Sequence, residues 1–139
     1  FDHACGRVLA RYSAAVTGAA GARARLRALV GAFRGMADDP PLPGGCPLLR
    51  TAVETSSARS PLRARARAAF VALRALVLDT LVDGIAAGEV RAGVDPEAQA
   101  SVFVAGMEGA IMLSALYRDT SHMHRVADHL ATHADALCT

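Results

Sequence analysis

The sequence has no lysine and no tryptophan, and aromatic residues make up only 4% of it. All fifteen basic residues are therefore arginine. The two cations are not physically equivalent, yet no function demands total exclusion of one of them. With so much Ala and Gly, the bias reads as GC-rich coding and points towards a bacterium. An excess of one charge is also lacking: 15 basic against 13 acidic residues leave a formal +2, which offers no broad positive field to nucleic acid or an anionic membrane. Only Cys5, Cys46 and Cys138 are available as thiols. Their odd number and lack of short metal-ligand spacing argue against a disulfide framework and for a reduced, cytoplasmic setting. There is no signal peptide, no internal repeat and no period-two alternation long enough for a strand. Nor is there a clean membrane span: Arg74, Asp79 and Asp83 interrupt one apolar stretch. The other is shorter than about 20 residues and has Glu108 near its middle.

What is present is helical material. The 139 residues are 53% hydrophobic, enough for one domain with a real core, and Ala, Leu and Val carry most of it. A mean hydropathy of +0.28 is high for a soluble monomer, so part of the apolar surface is expected to be covered by a partner subunit. The chain opens on Phe1 without an initiator Met and enters a helical pattern within a few residues, which suggests a portion of a longer protein.

Six helices are expected. Cys5, Val8, Leu9, Tyr12 and Val16 form one stripe over residues 3–17, interrupted by Gly18 and Gly21. Leu26, Leu29, Val30 and Phe33 form the next, with Arg23, Arg25, Arg27 and Arg34 mostly off it. The prolines and glycines of 39–47 then enforce a loop. A short helix from Pro47 to about Ser56 presents Leu49, Ala52 and Val53 as its inner face. Ser60-Pro61 supplies an N-cap and an N1 proline for a long central helix reaching Gly88, about 40 Å at 1.5 Å per residue. Asp95-Pro96-Glu97 opens a fifth helix to about Arg118, and Thr120 or Ser121 caps a sixth.

The fifth helix contains Gly106 and Gly109 in an apolar run from Val104 to Leu113. Glycine inside a helix costs roughly 1 kcal/mol relative to alanine, so two of them require a compensating close approach of another helix. That approach is either a crossing inside the core or a subunit interface.

Four pieces in order carry a family resemblance: Gly45-Cys46-Pro47-Leu48-Leu49-Arg50-Thr51-Ala52-Val53-Glu54, Ser60-Pro61-Leu62-Arg63, Gly88-Glu89-Val90-Arg91 followed by Asp95-Pro96-Glu97, and the Glu108-Gly109-Ala110 helix. Together they resemble the C-terminal domain of TetR-family transcriptional regulators, over essentially the whole chain. The resemblance implies an all-α, six-helix bundle of one domain, with residues 1–17 as a connector and 95–138 as the helices of a dimer's four-helix bundle. It also implies a homodimer, a small-molecule effector, and operator DNA read by a three-helix head that would precede this chain. No helix-turn-helix lies within the chain itself.

Inward-facing residues of such a bundle would line an effector pocket: Tyr12, Val16, Leu26, Val30, Phe33, Leu49, Val53, Phe70, Leu73, Val77 and Thr80, joined by Met107 and Ile111. Tyr12, Thr80, Arg74 and Glu108 are the polar anchors on offer. The plainer reading of each apolar position is core packing. Glu108, amid apolar neighbours, must be paired, hydrogen-bonded, protonated or able to reach water, and Arg74 is a candidate partner. It is either satisfied at the helix edge or across a dimer, or it anchors a ligand. The interface is expected at Gly106, Gly109, Ala110, Leu113, Leu116, Val126, His129, Leu130 and His133.

His122, His129 and His133 fall within about 40° on the sixth helix. They read either as a proton- or metal-sensitive seam or as a wet interface rim, and the wide spacing argues against metal. Cys46 lacks a base tied to it by sequence and reads as a packing residue rather than a nucleophile. Arg63, Arg65 and Arg67 read as a solvated face, with contact to DNA phosphate or the missing head as the sharper alternative. No constellation of base, nucleophile and oxyanion donors supports an enzyme, and no cofactor or membrane partner is expected. Two functions remain: a ligand-responsive repressor, which releases DNA on binding a small, mainly apolar molecule, and a helical interaction module with a filled core.

Overall fold

The structure is a computed structural model and describes residues 1–40, 45–57 and 59–139. It contains α1 (Asp2–Thr17), α2 (Ala22–Gly35), α3 (Pro47–Glu54), α4 (Pro61–Ala86), α5 (Pro96–Tyr117) and α6 (Ser121–Leu137). No strand occurs among the described residues; there is one isolated antiparallel bridge, Val90 to Cys138. The all-α expectation and the six helices hold, and the expected loop over 39–47 lies outside the described residues at 41–44.

Spacing of three and four places Cys5, Val8, Tyr12 and Val16 on the buried face of α1 and Ala22, Leu26, Leu29, Val30 and Phe33 on that of α2. The two helices pack together, α2 lies on α6, and α4 touches α1, α2, α3 and α5. The α4 face that makes these contacts is Ala66, Ala69, Leu73, Val77, Thr80, Leu81 and Gly84. It is central as expected but not enclosed on every side, since Val71 and Val82 remain about half exposed.

The caps follow sequence chemistry closely. Ser60 Oγ accepts the Arg63 N–H at 3.2 Å and Asp95 Oδ1 accepts the Ala98 N–H at 3.2 Å. For α6 the side chain that works is neither Thr120 nor Ser121 but Asp119, whose Oδ1 accepts the Ser121 N–H at 2.9 Å. The N-terminus of α2 is capped from 67 residues away: the Ala22 N–H donates to Glu89 Oε2 at 2.7 Å. Glu89 is delivered by a turn in which Gly88 adopts φ +74° and the Glu89 N–H reaches the Gly84 carbonyl at 2.8 Å. At Gly84 the packing permits nothing larger, because a Cβ there would lie 2.6 Å from Val90 Cγ2 and 2.8 Å from Ala22 Cβ.

The inner face of α3 corrects the expectation. Pro47, Leu48 and Thr51 are buried, whereas Leu49 and Ala52 are only half-buried and Val53 is 66% exposed. Two apolar stripes compete on this eight-residue helix, and the inward one includes threonines. Thr55 Oγ1 donates to the Thr51 carbonyl at 2.6 Å, so its hydroxyl is satisfied locally while the methyl is buried.

The apolar stretch expected to be shorter than about 20 residues is longer: α5 runs 22 residues and is apolar enough by length and composition to cross a membrane. Here it packs along α4 and α6 with the Glu108 carboxylate buried at its middle.

Candidate functional site

Three polar side chains from three parts of the chain meet beside a small apolar cavity. Tyr12 comes from the buried face of α1, Cys46 from the residue that starts α3, and Glu108 from the centre of α5. The cavity is lined by Val8, Tyr12, Met36, Gly45, Cys46, Ile111 and Met123, together with Pro40, and measures about 50 Å³. That holds a water or a small head group but falls well short of the roughly 300–1,000 Å³ of a pocket for a drug-sized ligand. Cys46 and Ile111 also line an adjoining surface groove of about 340 Å³ with Leu49, Arg50, Val53, Glu54, Met112 and Ala115. The two spaces share a wall.

The polar groups here are poorly satisfied. Cys46 Sγ donates to Glu108 Oε1 at 3.4 Å, while Glu108 Oε2 and the Tyr12 hydroxyl are buried without a partner. A thiol is a weak donor, so Glu108 keeps most of the cost of leaving water. Burial pushes its carboxyl up to about 7, with the Cys46 thiol pulling slightly the other way. Burial first, then the nearby Glu108 charge, pushes the Cys46 thiol up to about 12; the same two causes raise the Tyr12 hydroxyl. Cys46 is therefore a protonated thiol, as its packing role requires, rather than a nucleophile.

The other expected pocket residues are placed elsewhere. Val16, Leu26, Val30, Phe33, Leu73, Val77 and Met107 are core, Phe70 is half-buried against it, and Val53 faces the groove rather than the interior. Arg74 does not reach Glu108; it donates to the Glu97 carboxylate at 2.5 Å, the Glu97 carbonyl at 2.7 Å and Ser101 Oγ at 3.3 Å. Its long side chain swings to the α4–α5 surface, where a charge stays hydrated. Thr80 Oγ1 is spent on the Leu76 carbonyl at 2.7 Å. Of the cavity walls, sequence reading names Tyr12 and Ile111 and misses Val8, Met36, Pro40, Gly45, Cys46 and Met123. Methionine at irregular gaps was the available signal.

On the outer side of α5, Val102, Met112, Leu116 and Tyr117 are 50%, 50%, 70% and 63% exposed. Leu113 and Val126 are half-buried and His129 is exposed. Ala110 and Leu130, expected at an interface, are 1% and 3% exposed and belong to the chain's own core. A Cβ at Gly106 would lie 3.8 Å from Val126 Cγ1, an ordinary contact, and one at Gly109 would meet nothing within 4 Å. Neither glycine is needed for packing within the chain. His129 and His133 stack with ring centroids 6.4 Å apart, and His133 Nε2 hydrogen-bonds Gln99 Oε1 at 2.6 Å. His122 lies instead against Tyr117 at 5.4 Å. Among the described residues no group of three His, Cys, Asp or Glu gathers as a metal site. Arg65, from the arginine face of α4, pairs with Asp2 at 3.0 Å.

Residues 22–130 match the family model of the tetracyclin repressor-like C-terminal domain. A TetR transcriptional regulator from Chloroflexus aurantiacus J-10-fl is similar at 34% identity and TM-score 0.91 over 99% of this chain and 69% of that one. A TetR-family regulator from Cytophaga hutchinsonii follows at 25% identity and TM-score 0.87 with the same coverage. The reduced form of E. coli NemR, at 16% identity and TM-score 0.73, shares the fold. No curated protein matches the sequence. With the family model spanning most of the chain and a 34% identical regulator superposing on nearly all of it, the chain belongs to the TetR family of transcriptional regulators, as its C-terminal domain.

Proposed function

We propose that this chain is the effector-binding and dimerising part of a bacterial, cytoplasmic TetR-family repressor, which releases operator DNA when a small, mainly apolar molecule enters the Tyr12–Cys46 cavity. The observation that carries this reading is the pair of unpartnered buried polar atoms, Tyr12 Oη and Glu108 Oε2, beside an apolar cavity. Buried polar groups are nearly always hydrogen-bonded, and a site that leaves two of them unsatisfied is suited to a ligand that completes them. The cavity walls come from α1, α2, α5 and α6 and from the start of α3, so an occupant that enlarges the cavity pushes on α1, the connector. A differential affinity of about 1–3 kcal/mol between two dimer states is sufficient for such coupling. DNA would be read by a head outside the present sequence, through recognition helices one DNA turn apart.

Homodimerisation is proposed on the outer face of α5 and the adjoining α6 rim: Val102, Gly109, Leu113, Leu116, Val126 and His129. Exposed apolar area and two helix-interior glycines with no use inside the chain support it. The test has two arms. Apolar compounds are screened for thermal stabilisation, with about 2.7 kcal/mol expected at a hundredfold excess over the dissociation constant. Gly109→Leu, which meets open space in the monomer, is expected to yield folded monomers in light scattering. Failure of every compound to stabilise the chain would return it to a helical interaction module, and a dimer that survives the leucine would place the interface elsewhere.

A further inference from the structure

We infer that the Tyr12–Cys46–Glu108 site selects small apolar amines, held as ammonium ions by the Glu108 carboxylate, over neutral or anionic molecules of the same shape. The inference rests on the pocket reading above and adds the chemical class of the occupant.

The first support is charge. Glu108 is 5% exposed, and Arg11, Arg34 and Arg74 are paired with Asp39, Asp128 and Glu97 rather than with it. The titratable groups that face it are the Tyr12 hydroxyl from α1 and the Cys46 thiol before α3, both driven towards their neutral forms by burial and by the carboxylate itself. From the residue that ends α2 and from α6 the cavity receives Met36 and Met123, which do not titrate. Within the cavity the one charge on offer is therefore negative and lacks a counterion, while the groove beside it carries one residue of each sign, Arg50 and Glu54. Once Glu108 is ionised, an anionic ligand would add a like charge at low dielectric, and a neutral one would leave the carboxylate uncompensated.

The second support is the donor inventory. Glu108 Oε2 has no partner and Oε1 has only a thiol at 3.4 Å. An ammonium group brings three strong donors, enough to replace the weak S–H bond, serve Oε2 and still donate to the Tyr12 oxygen. Its carbon body meets Val8 and Ile111 and the thioethers of Met36 and Met123, soft surfaces that adapt to an irregular apolar shape. The third support is size. The cavity of about 50 Å³ has room for an ammonium head group, and only Cys46 and Ile111 need shift to join it to the groove of about 340 Å³ that would take the remainder.

The experiment is titration calorimetry of the chain with three head groups on two bodies: benzylamine, benzyl alcohol and benzoate, and n-hexylamine, n-hexanol and n-hexanoate. On the wild type the amine of either body is expected to bind at least about tenfold more tightly than its alcohol, with the carboxylate weakest. Glu108→Gln should remove that preference, the amine binding no more tightly than its alcohol. Binding of an ammonium ion should also expel the proton from whatever fraction of Glu108 carries one. Near pH 6 the wild type should therefore release protons on amine binding, read from buffers of different ionisation heat. This second readout uses only the wild type and decides the matter even if the glutamine variant folds poorly. Equal binding of amine and alcohol, or amine binding without proton release, overturns the amine assignment and leaves the pocket standing. Binding of none of the six probes overturns the pocket reading together with it.

Discussion

The seam between α2 and α6 and the interior beside α5 treat carboxylates in opposite ways. On the seam, Asp135 accepts from Arg27 Nε at 2.9 Å and Nη2 at 2.5 Å and meets Arg23 at 3.1 Å. Asp128 is paired with Arg34. The Arg27 hydrogen bond, helped by Arg23, holds the Asp135 carboxyl down at about 2. In the interior, Glu108 has one weak thiol donor and an open oxygen, and burial holds its carboxyl up at about 7. The surface pairs are abundant and individually cheap, because water screens them whether or not they form. The interior group is solitary and expensive, and a fold optimised for stability alone would replace it with a hydrophobe. Solvated charges join helices on this domain; the desolvated one is left with an oxygen that no group of the chain serves.

The largest expected effect sharpens that contrast through pH. Because folding raises the Glu108 pKa from an ordinary 4.5 to about 7, the native state favours the protonated form. Stability is then complete below about pH 4.5 and is lost as pH rises through about 7. At about 1.36 kcal/mol per unit, the native state should lose about 3 kcal/mol over that window from this group alone. Denaturant unfolding of the wild type and Glu108→Gln, each at mildly acidic and mildly alkaline pH, isolates the contribution, since every other carboxylate cancels between the two proteins. Parallel pH profiles would mean that Glu108 is paired or hydrated, and the contrast with Asp135 would collapse.

The two regions were unequally legible in the sequence. Ser60-Pro61 and Asp95-Pro96 announce helix starts by local chemistry, and the capping bonds form where that chemistry requires. The buried stripes of α1 and α2 follow from spacing alone. Glu108 was conspicuous for the same reason, as a charge in an apolar run. Its surroundings were not legible, because they depend on contacts across 62 residues to Cys46 and on Arg74 turning to Glu97 instead. Side-chain length allows an arginine several destinations, and periodicity does not choose among them. On α3, eight residues are too few for the pattern to decide between two apolar stripes; the inward one carries Thr51 and leads to Thr55, whose hydroxyl is satisfied locally by the Thr51 carbonyl. The glycine reading shows the same limit: Gly106 and Gly109 stood out in a uniform helix, while the glycine the core requires is Gly84, whose neighbours Ala22 and Val90 come from opposite directions along the chain.

A smaller effect tests the other half of the interior site. The Tyr12 hydroxyl is buried with no partner, so Tyr12→Phe removes a desolvated polar atom without opening a cavity and should stabilise the apo domain by about 1 kcal/mol. The same substitution should weaken whatever ligand uses that oxygen, a trade of stability against binding that ordinary core residues do not show. A loss of apo stability in thermal unfolding would instead reveal that the hydroxyl is satisfied in solution, with the Glu108 carboxylate as the candidate acceptor.

The smallest effect belongs to the seam. Asp135→Asn removes the acceptor charge that Arg27 and Arg23 share, yet both arginines keep access to water, so the unfolding midpoint should fall only slightly at low salt and not at all in concentrated salt. The pH signature has the opposite sign to that of Glu108. A carboxyl held at about 2 contributes stability above its ordinary pKa near 3.8 and loses it as pH falls towards 2, well outside the window in which Glu108 acts. The two carboxylates can therefore be separated in one titration of stability against pH. The acid limb flattens in Asp135→Asn and the neutral limb flattens in Glu108→Gln. A large, salt-insensitive loss in Asp135→Asn would show that the α2–α6 seam is desolvated in solution, as by a partner subunit lying over it, and would move the dimer contact from α5 towards α2.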